Sequence, residues 1–212
     1  RRNWTTGTTY DIYRHDYEEF ITGSTTTRQT ANSGATTLFD STFYVLTSDR
    51  NVYKCLDNDG NTASTVEPTG TGTSIITTGD GYKWKYMYTL SAAQQANFLS
   101  TDFMAVATNS TVSSAAVDGA LDTVKIKTAG SSYTVSGGGT SGTITAVPIR
   151  GDGSSGVCSV TITSGAITAV TVTTAGTGYT SGYIRNADII AATNAGGAGS
   201  GAELDVIIPP KG

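Results

Sequence analysis

Gly119-Ala120-Leu121-Asp122-Thr123-Val124-Lys125-Ile126-Lys127-Thr128-Ala129-Gly130 returns, 46 positions later, as Gly165-Ala166-Ile167-Thr168-Ala169-Val170-Thr171-Val172-Thr173-Thr174-Ala175-Gly176. The register continues through Tyr133-Thr134 against Tyr179-Thr180, and Cys158, Val160 and Ile162 align with Leu204, Val206 and Ile208. Repetition of this length marks one supersecondary unit used twice, each copy burying a face it could not bury alone. What repeats is apolar strand residues and turn glycines; the residue types that carry chemistry do not repeat. The pattern is that of a scaffold.

Working outward, each copy reads as strand, glycine turn, a loop ending in Tyr-Thr, a second strand, a Gly-rich turn and a third strand. The alternation of Val or Ile with Thr or Lys predicts strands over 121–127, 143–149 and 157–163, then 167–173, 183–190 and 203–208. Pro209-Pro210 ends the last one, since proline cannot donate to a ladder. The copies span 119–164 and 165–210. The small, polar segment from Asn109 to Asp118 separates them from a non-repeating half, giving domains 1–112 and 113–212.

In the non-repeating half, Ser41–Thr47 and Val52–Leu56 predict a hairpin about the turn Ser48-Asp49-Arg50-Asn51, with Asp57–Asn61 as a second turn. Tyr82-Lys83-Trp84-Lys85-Tyr86-Met87-Tyr88 is the strongest strand signal: its period of two puts Tyr82, Trp84, Tyr86 and Tyr88 on one face. Ser91 with Gln94 three residues on is a capping box, so a short helix is expected over 92–99, carrying Phe98 and Leu99 toward the core. Asp102–Ala107 reads as a further strand, and Gly23–Gly34 as an exposed loop. The expected class is mainly β: an antiparallel, sandwich-like core with one short helix, followed by the two tandem repeats.

Composition narrows the function. Charged residues make up 14% and glycines number 26, which suits short strands and tight turns rather than long helices. A net charge of −4 argues against a nucleic-acid partner, which needs a clustered basic face; Arg1, Arg2 and Arg14 are interleaved with acids. No apolar run has membrane-spanning length. Cys55 and Cys158 both occupy strand positions and read as buried thiols. The start at Arg1-Arg2 suggests an internal fragment or a processed product.

No candidate site outweighs its structural reading. His15, the single histidine, stands between Arg14 and Asp16, so neither a zinc site nor a Ser-His-Asp triad can be assembled around it. Asp57-Asn58-Asp59-Gly60 lacks the later ligands of a calcium loop and reads as a turn. The runs at Gly137–Gly139 and Gly196–Gly199 lack the Gly-Lys-Ser/Thr of a phosphate loop. Arg150-Gly151-Asp152 matches an adhesion tripeptide but lies in a turn between strands. No paired acids for glycosidase chemistry stand in an aromatic-lined strand. The expectation is therefore no catalytic residue, metal, cofactor or small-molecule substrate. The residues of interest are aromatic, forming either a core wall or a protein interface: Trp4, Tyr10, Tyr13, Tyr53, Tyr82, Trp84, Tyr86 and Tyr88, with Val52 and Leu56 in the supporting hairpin.

Arg1-Arg2-Asn3-Trp4, Val52-Tyr53-Lys54-Cys55-Leu56-Asp57, Thr65-Val66-Glu67-Pro68 leading to Gly79-Asp80-Gly81-Tyr82-Lys83-Trp84-Lys85-Tyr86-Met87-Tyr88, and Thr101-Asp102-Phe103-Met104-Ala105-Val106 occur in that order. Together they resemble the core of the baseplate wedge protein of T-even-like contractile-tailed bacteriophages, in its cyanophage form, over residues 1–107. The repeats resemble Gly-rich modules of phage virion proteins and look like an insertion. The resemblance implies a non-enzymatic structural subunit of the virion tail, assembled in the host cytoplasm, dimerising within each wedge and contacting other wedge proteins. The alternative is a carbohydrate-binding or adhesive β-repeat module of a secreted or fibre protein, which would need Tyr133 and Tyr179 exposed.

Overall fold

The computed structural model describes residues 2–15, the backbone of 20–22 and 25–27, residues 33–35 and residues 37–209. It is mainly β with antiparallel sheets, as the residue pattern predicts, and divides into two compact units, Arg1–Ala116 and Val117–Gly212.

Unit 1 begins with the backbone strands β1 (Phe20–Thr22) and β2 (Thr25–Thr27), an antiparallel pair where a loop was expected. The rest of the expected loop from Gly23 to Gly34 lies largely outside the described residues. A four-stranded sheet follows, built from β3 (Tyr44–Leu46), β4 (Asn51–Asp57), β5 (Ile76–Thr77) and β6 (Lys83–Thr89) in the order β3-β4-β6-β5. The hairpin turn is tight enough to hold Arg50 at φ 64°. On β6 the burial alternates as the period of two requires, with Trp84, Tyr86 and Tyr88 in and Lys83, Lys85 and Met87 half-buried. No second sheet covers this one among the described residues. The N-terminal arm supplies the cover: Trp4 N donates to Leu46 O and Leu46 N to Arg2 O, both at 2.8 Å, and Tyr13 N donates to Cys55 O at 2.9 Å.

Helix α1 (Ala92–Phe98) starts at Ser91 with the complete capping box: Gln94 N donates to Ser91 Oγ, and Ser91 N donates to Gln94 Oε1. Two expectations fail beyond it. Phe98 is 62% exposed, because the helix turns only Leu99 back toward the cluster of Leu46, Val52, Tyr88 and Leu90. Residues 102–107 form no strand; the segment is held by Ser100 N donating to Phe103 O and by Tyr88 Oη donating to Ala105 O at 3.1 Å. The polar boundary segment holds a helix, α2 (Ser110–Ala115), capped by Asn109 Oδ1 accepting from Thr111 N and Val112 N.

Unit 2 contains β7 (Thr123–Ser131), β8 (Gly142–Pro148), β9 (Arg150–Gly151), β10 (Val157–Thr163), β11 (Ala166–Thr174), β12 (Gly182–Tyr183), helix α3 (Asn186–Ala191) and β13 (Ser200–Ile207). Its two longest ladders run between the copies, while β8 pairs with β10 inside the first copy. The third strand of the first copy, β10, pairs with the first of the second, β11; the third strand of the second copy, β13, returns to pair with β7. The registers agree residue for residue at the repeat offset. Glu203↔Thr128, Leu204↔Ile126, Asp205↔Lys125, Val206↔Val124 and Ile207↔Thr123 reproduce Val157↔Thr174, Cys158↔Val172, Ser159↔Thr171, Val160↔Val170 and Thr161↔Ala169. Even the bulge falls at the same place, between Glu203 and Leu204 as between Val157 and Cys158. The copies thus close around a pseudo-two-fold axis with one shared core, Leu121, Val124, Ile144, Val160, Ile162, Ile167, Val170 and Val206 among its residues.

They differ in the middle element. Of residues 143–149, expected as a strand, β8 holds 143–148; the second copy's middle strand, expected over 183–190, is replaced by the short β12 and α3. Asn186-Ala187-Asp188 puts an acid in the first turn of that helix, where the backbone dipole favours it, and only Ile189 is fully buried. β-branched residues alone had suggested strand; the helix wins because one apolar side chain is enough to dock so short an element.

Candidate functional site

The motif block that carries the resemblance is one hydrogen-bonded assembly. Asp80 stands in the turn before β6 and collects donors from two loops. Its Oδ2 accepts from Thr65 N (2.7 Å), Val66 N (2.9 Å) and Ser64 Oγ (3.1 Å), and its Oδ1 from Thr78 Oγ1 (2.5 Å) and Tyr82 N (3.4 Å). Partial burial works against the charge, but the bonds from Thr78, Val66, Thr65 and Ser64 outweigh it and hold the carboxyl at about 2. Ser64 also receives Trp4 Nε1 at 3.1 Å, tying the N-terminal arm to the same anchor. Two residues on, Glu67 accepts Ser48 N and Ser48 Oγ, clamping the β3–β4 turn. Thr65-Val66-Glu67 and Gly79-Asp80-Gly81 are therefore the two ends of a staple across three turns. Gly81 sits at φ +84°, a conformation that favours glycine, and a Cβ there would also press on the Asp59 carboxyl, 2.6 Å from its Cγ.

Behind this staple lies the aromatic wall. Tyr82 stacks on Trp84 at 5.4 Å, Tyr10 meets Trp84 edge-on at 5.7 Å, and Tyr53 meets Tyr86 at 5.8 Å. Tyr82 Oη donates to Thr62 O and accepts from Tyr10 N; burial pushes its phenol up to about 12. Asn58, inside the Asp57–Asn61 turn, donates to Tyr10 O at 2.9 Å, so that turn holds the arm rather than an ion. Trp84 Nε1 is buried without a hydrogen-bond partner among the described residues.

Of the eight aromatic residues expected at an interface or core wall, Tyr10, Tyr13, Tyr53, Tyr82, Trp84, Tyr86 and Tyr88 are buried within unit 1, with Val52 and Leu56, and Trp4 is half-buried. Their rings are already covered by their own unit, which removes them as a ready contact surface and leaves the core-wall role. The large apolar side chains that unit 1 does leave on its surface are others: Phe39 at 96%, Phe98, Phe103 and Val106 exposed. Residue types gave no warning of this. The sequence pattern pointed the other way, to a strand over 102–107 and to Phe98 facing the core.

In unit 2 the repeated tyrosines are plugs. Tyr133 N donates to Gly165 O at 3.0 Å, and Tyr179 N donates to Gly119 O at 3.3 Å, the same bond at the repeat offset. Tyr179 Oη donates to Ile149 O at 2.8 Å and accepts from Gly156 N at 3.0 Å. Tyr133 Oη bonds Asn186 Oδ1 at 2.6 Å. Both rings are buried. Arg150-Gly151-Asp152 is also occupied. Arg150 forms a two-point ion pair with Asp188, and Asp152 accepts from the Thr180 hydroxyl, Ser181 N (2.8 Å) and Thr180 N, which hold its carboxyl well below the usual carboxylate range. Asp11 is a third anchored acid. Burial opposes its charge, but Ser33 and Thr42, each donating backbone and hydroxyl, bring its carboxyl below the ordinary value.

Nothing in this set assembles chemistry. Among the described residues no three His, Cys, Asp or Glu side chains stand together as metal ligands. His15 is exposed. Cys55 and Cys158 are buried free thiols in different units, and burial pushes the Cys158 thiol up to about 12, so it stays protonated. No helix among the described residues is long and apolar enough to cross a membrane. Comparisons with protein-family models, with curated proteins and with solved structures give no match.

Proposed function

We propose that this chain is a structural subunit of the baseplate wedge of a contractile phage tail, with no enzymatic role. One observation carries the reading. The separate sequence blocks that resemble the wedge core, Thr65-Val66-Glu67, Gly79-Asp80-Gly81 and the aromatic strand after it, converge on one staple centred on Asp80. Residues whose only visible work is to hold turns against a packed wall fit a subunit that transmits force. A sheet backed by stacked aromatics moves as a body, and a displacement at one contact reaches the next without being absorbed.

The neighbours of such a subunit, other wedge proteins or a second copy of this chain within the wedge, would meet it on side chains that its own fold leaves outside. In unit 1 those include Phe39, Phe98, Phe103 and Val106 rather than the tyrosine ladder. The glycan-binding alternative draws no support from Tyr133 and Tyr179, which are buried plugs and offer no ring face for sugar stacking.

Immunogold labelling tests the proposal. Antibodies against this chain should decorate the baseplate end of contractile tails in particles of the phage that encodes it. Label on the capsid or fibres only, or particles from which the chain is absent by mass spectrometry, would sink the reading.

A further inference from the structure

We infer that unit 2 is an internalised homodimer, and that the surface each repeat presents to the other fits a repeat supplied by a second copy of this chain. The inference is independent of the tail assignment. The two longest ladders, β10–β11 and β7–β13, run between the copies, and β8–β10 runs within the first. The contacts that lock them also come in pairs. A Cβ on Gly130 would lie 2.6 Å from Ala202 N, 2.6 Å from Ser200 O and 2.8 Å from the Tyr133 ring; on Gly176 it would lie 2.7 Å from Gly156 N, 2.5 Å from Ser154 O and 2.7 Å from the Tyr179 ring. Each pair of partners is offset by one repeat length. Each tyrosine is thus wedged between a glycine of its own copy and the backbone of the other. A surface that is self-complementary about a two-fold axis is what an isologous dimer requires.

The covalent link between the copies is short. β10 ends at Thr163 and β11 begins at Ala166, so Ser164-Gly165 alone reverses the chain, at φ 51° and 79°. If these two residues straighten, β10 and β11 of one chain run on as a single strand. The Val160↔Val170 ladder and its equivalent can then form only between chains, each first copy closing on the second copy of the other. The ladders and the packing of both tyrosine rings survive; the turn is exchanged, and with it the Tyr133 N–Gly165 O bond, since Gly165 is one of the two hinge residues. Two chains would be interlocked, and they could not separate without unfolding a unit in each.

Ser164→Pro with Gly165→Val in the full chain tests this, because neither new residue adopts the left-handed pair of angles. Light scattering on the eluting protein should give twice the parent mass of 21.8 kDa. A second readout comes from Lys125→Cys with Asp205→Cys, which face each other across the β7–β13 ladder. After oxidation the pair should form an intrachain loop in the parent background and a disulfide-linked dimer in the hinge background. Lengthening the turn with two glycines after Gly165 leaves it free to reverse and should keep the protein monomeric. A hinge variant that is monomeric with the intrachain loop overturns the inference. So does one that loses the repeat sheet and forms neither crosslink, since the copies then fail to recognise each other between chains.

Discussion

Unit 1 is fastened mainly by anchored side chains and unit 2 mainly by close backbone approach, with Asp152 and the Arg150–Asp188 pair as polar fastenings of its own. In the first, three anchored acids, Asp11, Asp80 and Glu67, reach across sequence distance to collect amides and hydroxyls from loops, over a wall of stacked rings. In the second, glycines let strands and tyrosines approach closely, and the same bond is made twice at one offset. Polar anchoring of the first kind depends on charge and on pH, whereas close approach depends on volume alone. Each unit should therefore fail to a different insult. Both tryptophans, Trp4 and Trp84, belong to unit 1, so their fluorescence follows that unit by itself.

The largest effect is expected from volume. At Gly119, φ +66°, a side chain would lie 2.6 Å from Gly178 C and 2.8 Å from its Cα. Gly119→Val combines overpacking against backbone with a left-handed β-branched residue and should cost about 4 kcal/mol or more. In urea titrations the far-UV signal of the repeat sheet should be lost early while the tryptophan transition stays in place. A tryptophan midpoint that moved with it would show that the units do not fail separately. Gly130→Ala and Gly176→Ala sharpen the point: equivalent surroundings predict costs equal to within about 0.5 kcal/mol. A clear inequality would break the symmetry.

Charge comes next. Asp80→Ala leaves Thr65 N, Val66 N and Ser64 Oγ without their acceptor and should destabilise unit 1 by about 2–3 kcal/mol, read as a lower tryptophan midpoint with the repeat signal unchanged. The pH dependence has a definite sign. The folded carboxyl sits at about 2 against an ordinary 3.8, so its contribution is complete above pH 3.8 and is lost as pH falls toward 2. The full linkage of about 2.5 kcal/mol is reduced by solvent screening to about 1. That acid-sensitive step should vanish in the Asp80→Ala protein. If it persists, other carboxylates carry it.

Tyr179→Phe falls slightly below. It strips the acceptor from Gly156 N and the donor from Ile149 O, both buried, at about 2 kcal/mol to unit 2 alone. Thermal melts followed in the far-UV would register it, and an unchanged melt would deny the hydroxyl its place in the plug.

The contrast between the units also governs what could be read beforehand. Strands with one buried face, such as 157–163 and 83–89, were legible because period-two burial is local and self-consistent. The capping box at Ser91 was legible because both partners lie within one turn. The pairing between copies was not, since register depends on which copy a strand meets and sequence carries no mark of it. Nor was α3, where short apolar runs are ambiguous between helix and strand. The aromatic ladder was recognised as a wall or an interface without a way to choose, because what covers it, the arm around Tyr10, lies across β4 and far off in sequence. The acids were dismissed as turn residues. That was correct for their location, but it missed that Asp80 organises loops on either side of it.

The smallest expected effect is the most exact comparison the molecule offers. Ser132 and Gly178 occupy equivalent places before the two tyrosines, at φ 61° and 73°. A side chain at Gly178 would meet nothing within 4 Å, so space does not distinguish them. What differs is the cost of holding a Cβ in the left-handed region, about 1 kcal/mol, against the greater freedom of glycine in the unfolded chain. Ser132→Gly should stabilise unit 2 by about 0.5 kcal/mol, and Gly178→Ser should destabilise it by about the same amount. The double exchange should then return the parent midpoint in urea, because each change moves the same local strain to the opposite copy. A double variant displaced from the parent would mean that one of the two loops does work that its twin does not.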